Sequence, residues 1–108
     1  MAGVFIGGAI YRVPIIVDGF ISAVAANVAV KLIPECKDFI YASHVSSEPA
    51  GRMALNQIGL RPYLECGMCL GEGTGGVMGA KLFDFALAAY KETANFDDAN
   101  VEKYEVLK

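Results

Sequence analysis

The stretch VPIIVDGF, Val13 to Phe20, decides the fold. Val13 to Val17 is a continuous apolar run of strand length, with Pro14 near its start and Asp18-Gly19 at its end. A short run that is apolar on both faces predicts a buried strand, of the kind that lies in a parallel sheet covered by helices. The segment that follows, Phe20 to Ile33, is rich in alanine and valine and reaches Lys31 just before Pro34. It predicts a helix with its stop signal in place, and its near-total apolarity predicts cover on most sides. A strand passing directly into a helix is the first half of a βα unit.

The same theme recurs downstream. Phe39 to Ala42 predicts a short strand, followed by the turn SHVSSEP and a helix with Met53, Ala54 and Ile58 on one face, closed by Gly59. Ser46 or Ser47 is the expected N-cap, with Pro49 in the first turn. Tyr63 to Leu70 predicts a third strand, leading through LGEGTGG into a helix whose Met78, Leu82, Phe85, Ala86 and Ala89 repeat at helical spacing. Successive βα units predict an α/β fold with a mainly parallel sheet and flanking helices, Rossmann-like and three-layered. Met1 to Arg12 has helix-like apolar content and reads as the cut end of a helix. The expected organisation is therefore a C-terminal portion of a larger α/β domain over 1–96, followed by a polar, acidic tail over 97–108.

Composition narrows the function. With 108 residues and 55% hydrophobic content, the chain can form one core, but it is apolar enough to predict contacts with another chain. A formal net charge of -3 leaves no basic stripe for nucleic acid. No run of the length that crosses a bilayer occurs, and no secretory leader is recognisable at Met1 to Tyr11, so a cytoplasmic protein is expected. Three cysteines are an odd count and predict reduced thiols.

In parallel α/β sheets, ligands bind beyond the carboxyl ends of the strands. Three turns there carry polar groups, namely Asp18-Gly19, Ser43 to Glu48, and Gly71 to Gly76. Adjacent strands would bring Asp18, His44, Ser46 and Glu72 to one rim. Gly71, Gly73 and Gly76 formally match G-x-G-x-x-G, but no further strand ending in an acid follows the helix, and no Gly-Lys-Ser/Thr marks a P-loop. The glycines could equally serve a tight strand-to-helix turn. Cys66-Gly67-Met68-Cys69 is a C-x-x-C that lacks the further ligands of a zinc site and reads better as buried small side chains than as a redox dithiol. His44 is either a structural hydrogen-bonding residue or a catalyst, and Asp18 either lines the site or caps the helix after it.

Taken together, the blocks VPIIVDGFISAVAA, ASHVSSEPAGR and LGEGTGG resemble the C-terminal third of the nicotinate-nucleotide:dimethylbenzimidazole phosphoribosyltransferase family. The resemblance extends to about Phe96. It implies transfer of the phosphoribosyl group of nicotinate mononucleotide to a nitrogen of 5,6-dimethylbenzimidazole, within a homodimer, without metal or organic cofactor, and with pocket-completing segments upstream. It places the general base at Glu72, where partial burial would raise the carboxyl pKa toward the working pH. Asp18 and Gly19 would line the nucleotide together with Gly71 and Gly73, and Ser46 with the helix start after it would take the phosphate. Where the resemblance implies an arginine three residues before the glutamate, this sequence has Cys69, a departure that bears on one basic substrate contact the family would imply.

Overall fold

The computed structural model describes residues 1–94 together with Asp98 and Glu102. Apart from those two residues, the tail expected over 97–108 lies outside the described part. The chain is helix-rich around a small parallel sheet. In order it forms α1 (Ala2–Tyr11), β1 (Ile15–Val17), α2 (Phe20–Leu32), a 3-10 turn (Pro34–Phe39), β2 (Ile40–Ala42), α3 (Pro49–Gln57) and α4 (Thr74–Glu92). The segment expected to be a helix at the start is therefore helical, and the first two of the three expected strands form, each shorter than expected.

The strands β1 and β2 pair in parallel, with Ile15, Ile16 and Val17 opposite Ile40, Tyr41 and Ala42. Side chains alternate across the sheet, and its two faces carry different helices. Val17, Ile40 and Ala42 join the core with Phe5 of α1, Ala23, Ala26 and Ala29 of α2, Cys36 of the 3-10 turn, and Ala54 and Leu55 of α3. On the other face, Tyr41 meets Phe83 of α4 edge-on, with ring centroids 5.1 Å apart. Burying each large core side chain contributes roughly 1.5–3 kcal/mol.

The helix α2 lies at the centre of the core, where its small alanines let α1 and α3 approach. Asn27 ties it to α3, donating through Nδ2 to the carbonyls of Ala23 (2.9 Å) and Ala54 (2.6 Å). Two acceptors at one end of the amide fix which end carries the nitrogen. The cover expected on most sides of α2 is incomplete: Ile21 is 72% and Leu32 67% exposed. No described residue covers those side chains.

Three further expectations are corrected. Tyr63 to Leu70 is not a strand. Only Leu64 makes a bridge, with His44, because Gly67 takes a left-handed turn (φ 60) that breaks extension two residues past Glu65. On α3, Ala54 is buried as expected, as is Ile58 at the helix end, but Met53 is exposed, and Gly51 and Leu55 complete the buried face. On α4, the stripe of Met78, Leu82, Phe85, Ala86 and Ala89 is exposed, Met78 and Leu82 only to 40% and 39%, and the buried positions are Gly75 and Gly79, with Phe83 half-buried. Apolar periodicity marks a face that can be buried, without saying against what.

Candidate functional site

The carboxyl ends of the parallel strands open into a cleft of about 450 Å³. Its lining includes Asp18 and Gly19 from the end of β1, His44, Ser46 and Glu48 from beyond β2, and Met68, Cys69, Gly71 and Glu72 from the glycine loop. The three polar turns expected to share a rim therefore meet in one place. They do so because β1 and β2 are neighbours and the backbone beyond β2 continues the pairing: Leu64 donates to the carbonyl of Ser43 (3.0 Å) and Val45 to that of Leu64 (3.1 Å). Gly73 is not part of the lining.

The loop that carries Glu72 is wound left-handed over Gly71 (φ 75), Glu72 (φ 56) and Gly73 (φ 79). A side chain in that region is disfavoured, and glycines on both sides make the turn accessible. Besides the helix-ending Arg12, Glu72 is the only residue other than glycine held this way among the described residues. Strain of this kind concentrates at functional sites. The partial burial expected of Glu72 is not met, since the residue is exposed on the rim.

Asp18 occupies a different position from the helix cap considered above. The cap of α2 is Gly19, whose N–H is bound by the Ser22 hydroxyl at 2.9 Å. The carboxylate of Asp18 reaches instead across the cleft floor to the start of α4, accepting the Gly73 N–H at 3.1 Å and the Gly76 N–H at 2.8 Å. A helix N-terminus attracts negative charge; here the anion is the protein's own. The glycine loop is thus not an open phosphate cradle, and its amides hold Asp18 while its left-handed turn presents Glu72. No local signal could have disclosed this pairing, because the partners stand 55 and 58 residues apart in sequence.

Ser46 stands at the cleft, and its hydroxyl accepts the Glu48 N–H at 3.3 Å. The N-cap of α3 is Glu48 and not a serine, with Pro49 at the first helical position. Proline has no N–H, so the first position of this helix offers no amide to an anion. The two C-x-x-C thiols, Cys66 and Cys69, are both exposed, contrary to the expectation of buried small side chains, because the chain here is an irregular loop over the cleft. Among the described residues no group of three or more His, Cys, Asp and Glu could hold a metal ion.

Sequence reasoning gave no role to Ser43, which is fully buried beneath His44. Its hydroxyl donates to the Val17 carbonyl at 2.6 Å and lies 3.1 Å from Nδ1 of His44. Gly75 and Gly79 of α4 press onto this pair. A Cβ at Gly75 would overlap the His44 ring, and one at Gly79 would stand 2.8 Å from the Ser43 Cβ. Under α4, where Tyr63 meets Phe83, desolvation, and then the neighbouring Tyr41, push the Tyr63 hydroxyl above its ordinary pKa.

A cleft at the carboxyl ends of parallel strands, with a carboxylate on a strained glycine turn and a buried serine-histidine pair, is an α/β arrangement in the place where such folds carry their ligand sites. The chain belongs to the phosphoribosyltransferase family, whose model it matches over residues 1–101. It is 46% identical over its whole length to the nicotinate-nucleotide–dimethylbenzimidazole phosphoribosyltransferase of Clostridium acetobutylicum, covering 31% of that protein. To the enzyme of the same name from Acetivibrio thermocellus it is 44% identical over 97% of its length, covering 30% of the relative. The crystal structure of the Thermus thermophilus enzyme of this name superposes with a TM-score of 0.86 at 37% identity, over 95% of this chain and 31% of the other. The chain thus spans under a third of the length of these relatives. No helix among the described residues is long and apolar enough to cross a membrane.

Proposed function

We propose that this chain supplies the base-bearing rim of an enzyme that moves the phosphoribosyl group of nicotinate mononucleotide onto 5,6-dimethylbenzimidazole, giving alpha-ribazole 5'-phosphate and nicotinate. The relatives' names give the two substrates. The observation that carries the reading in this chain is Glu72, set on a left-handed turn at the mouth of the cleft. An azole nitrogen attacking C1' of the ribose must lose its N–H, and a carboxylate within reach accepts that proton. Negative charge beside a sugar carbon also favours an oxocarbenium-like transition state. Attack opposite the departing nicotinate inverts the anomeric centre.

In this reading Asp18 acts by holding the loop, while Gly19 and Gly71 line the nucleotide and Gly73 supplies one of the anchoring amides. Ser46 is the phosphate contact, since the glycine-loop amides bonded to Asp18 are already engaged. Residues 1–96 would form the carboxyl-end portion of a Rossmann-like, three-layer domain, with the tail beyond it. The exposed apolar faces of α2 and α4 favour assembly with the part of the family's length that this chain does not span, and with a second subunit. The same faces favour, as a second reading, a noncatalytic nucleotide-binding or assembly role. A cytoplasmic setting and a reaction without cofactor complete the proposal.

Following nicotinate release from nicotinate mononucleotide and dimethylbenzimidazole tests it. The chain alone should release little, and the chain combined with the remaining portion of the Clostridium acetobutylicum relative should release nicotinate. In that combination Glu72→Gln should lower kcat by roughly 10²–10⁴-fold. Full activity in the variant would defeat the base assignment.

A further inference from the structure

We propose that His44 is a ligand-binding residue whose ring Ser43 locks in the Nδ1–H tautomer, so that Nε2 offers its lone pair to a sugar hydroxyl in the cleft. A serine hydroxyl has one proton to donate. That of Ser43 is directed at the Val17 carbonyl, 2.6 Å away. Toward Nδ1 of His44, at 3.1 Å, the same oxygen can therefore only accept, and Nδ1 must carry the hydrogen.

The arrangement is held from every side. The backbone N–H of Ser43 donates to Val17 and its carbonyl accepts from Leu64, while Gly79 lies against its Cβ. The N-terminal turn of α4 meets the His44 ring along Nδ1 and Cε1 through Gly75, where any side chain would overlap the ring. His44 is only 5% exposed, yet it lines the cleft. Its Nε2 makes no hydrogen bond among the described residues, and it is the one polar atom of the ring left for a ligand.

A neutral imidazole protonated at Nδ1 is an acceptor at Nε2, so it selects a donor. Phosphate oxygens and the nicotinate carboxylate are acceptors, and the azole N–H goes to Glu72 in the reading above. The ribose hydroxyls remain. The choice of ligand rests on that reading; the tautomer does not.

His44 is the single histidine of the chain. Labelling histidine with ¹⁵N therefore gives one imidazole, and two-bond ¹H–¹⁵N correlation reads its tautomer directly. The expected spectrum has a pyrrole-type Nδ1 and a pyridine-type Nε2, the reverse of the form free histidine favours, and Ser43→Ala should shift the population toward Nε2–H. A wild-type ring protonated at Nε2, or a Ser43→Ala spectrum identical to wild type, overturns the proposal.

Ribose 5-phosphate and inorganic phosphate are then titrated separately. Both are added to the labelled chain alone and to the labelled chain mixed with the unlabelled remaining portion of the Clostridium acetobutylicum relative, so that only His44 is seen. Ribose 5-phosphate should move the Nε2 signal without a second ring proton, and inorganic phosphate should leave it in place. An equal shift with phosphate alone, an imidazolium, or no shift with ribose 5-phosphate overturns the hydroxyl assignment. His44→Gln should keep ribose 5-phosphate affinity within about threefold, while His44→Phe should weaken it about fivefold to tenfold; equal losses count against it. In the combination with the relative's remaining portion, shifts at Nε2 without nicotinate release would sink the transferase reading and leave the tautomer and the Nε2 contact standing, and release with an unmoved Nε2 would do the opposite.

Discussion

Helices α2 and α4 both follow turns at the carboxyl ends of the sheet, and they are held by opposite means. In α2 the buried positions are Ala23, Ala26, Asn27 and Ala29, packed between α1 and α3, and its first turn is closed locally by Ser22 on Gly19. In α4 the only fully buried residues are Gly75 and Gly79, and its first turn is closed by Asp18 from the other end of the cleft. Apolar contact holds the first helix, whereas close backbone approach and one carboxylate hold the second. The difference matches their tasks: α2 builds the core, and α4 fixes the site at its base while presenting Val77 and Phe85 outward.

The contrast can be broken most strongly from the α2 side. Leu55→Ala, on the face of α3 turned to the core, removes a side chain that is 2% exposed and should cost about 2–5 kcal/mol, read as a lower urea midpoint. Gly75→Ala should cost less, about 1–3 kcal/mol, by forcing the His44 ring aside. Its mark should be a displaced His44 imidazole signal with the α2 amides unchanged. Asp18→Ala should cost about 1–2 kcal/mol and speed hydrogen exchange at the Gly73 and Gly76 amides, while the start of α2 keeps its protection. If α2 and α4 lost protection together, the two would be one cooperative unit and the comparison would fail. The smallest effect belongs to Glu65→Gln, which removes the 2.9 Å pair with Arg52; both partners are at least half-exposed, and the change should stay below about 1 kcal/mol.

Much of this was legible in particular stretches. VPIIV and FIYA carried both strands, because continuous apolar runs of that length have few other uses. The polar turns after them marked the cleft, since strand adjacency alone brings Asp18, His44, Ser46 and Glu72 to one edge. Other features misled for physical reasons. The stripe from Met78 to Ala89 is periodic whether it faces this chain or another surface, and Gly67 ends the third extended segment at a point where Tyr63 and Leu64 look like the start of a strand. Cys66 and Cys69 have the composition of core residues, but the loop that carries them has no core to enter.

The sequence by itself determined the first two strands and the helices that follow them, the capacity of the glycine loop for a tight turn, and the set of polar side chains available at the strand ends, because each follows from spacing within a few residues. Only the tertiary structure decided that Asp18 occupies the amides of α4, that Gly75 and Gly79 turn inward, and that Ser43 sets the tautomer of His44. Each of those depends on the direction of a hydrogen bond or the gap between two backbones brought together from distant parts of the chain, and local periodicity holds no information about either.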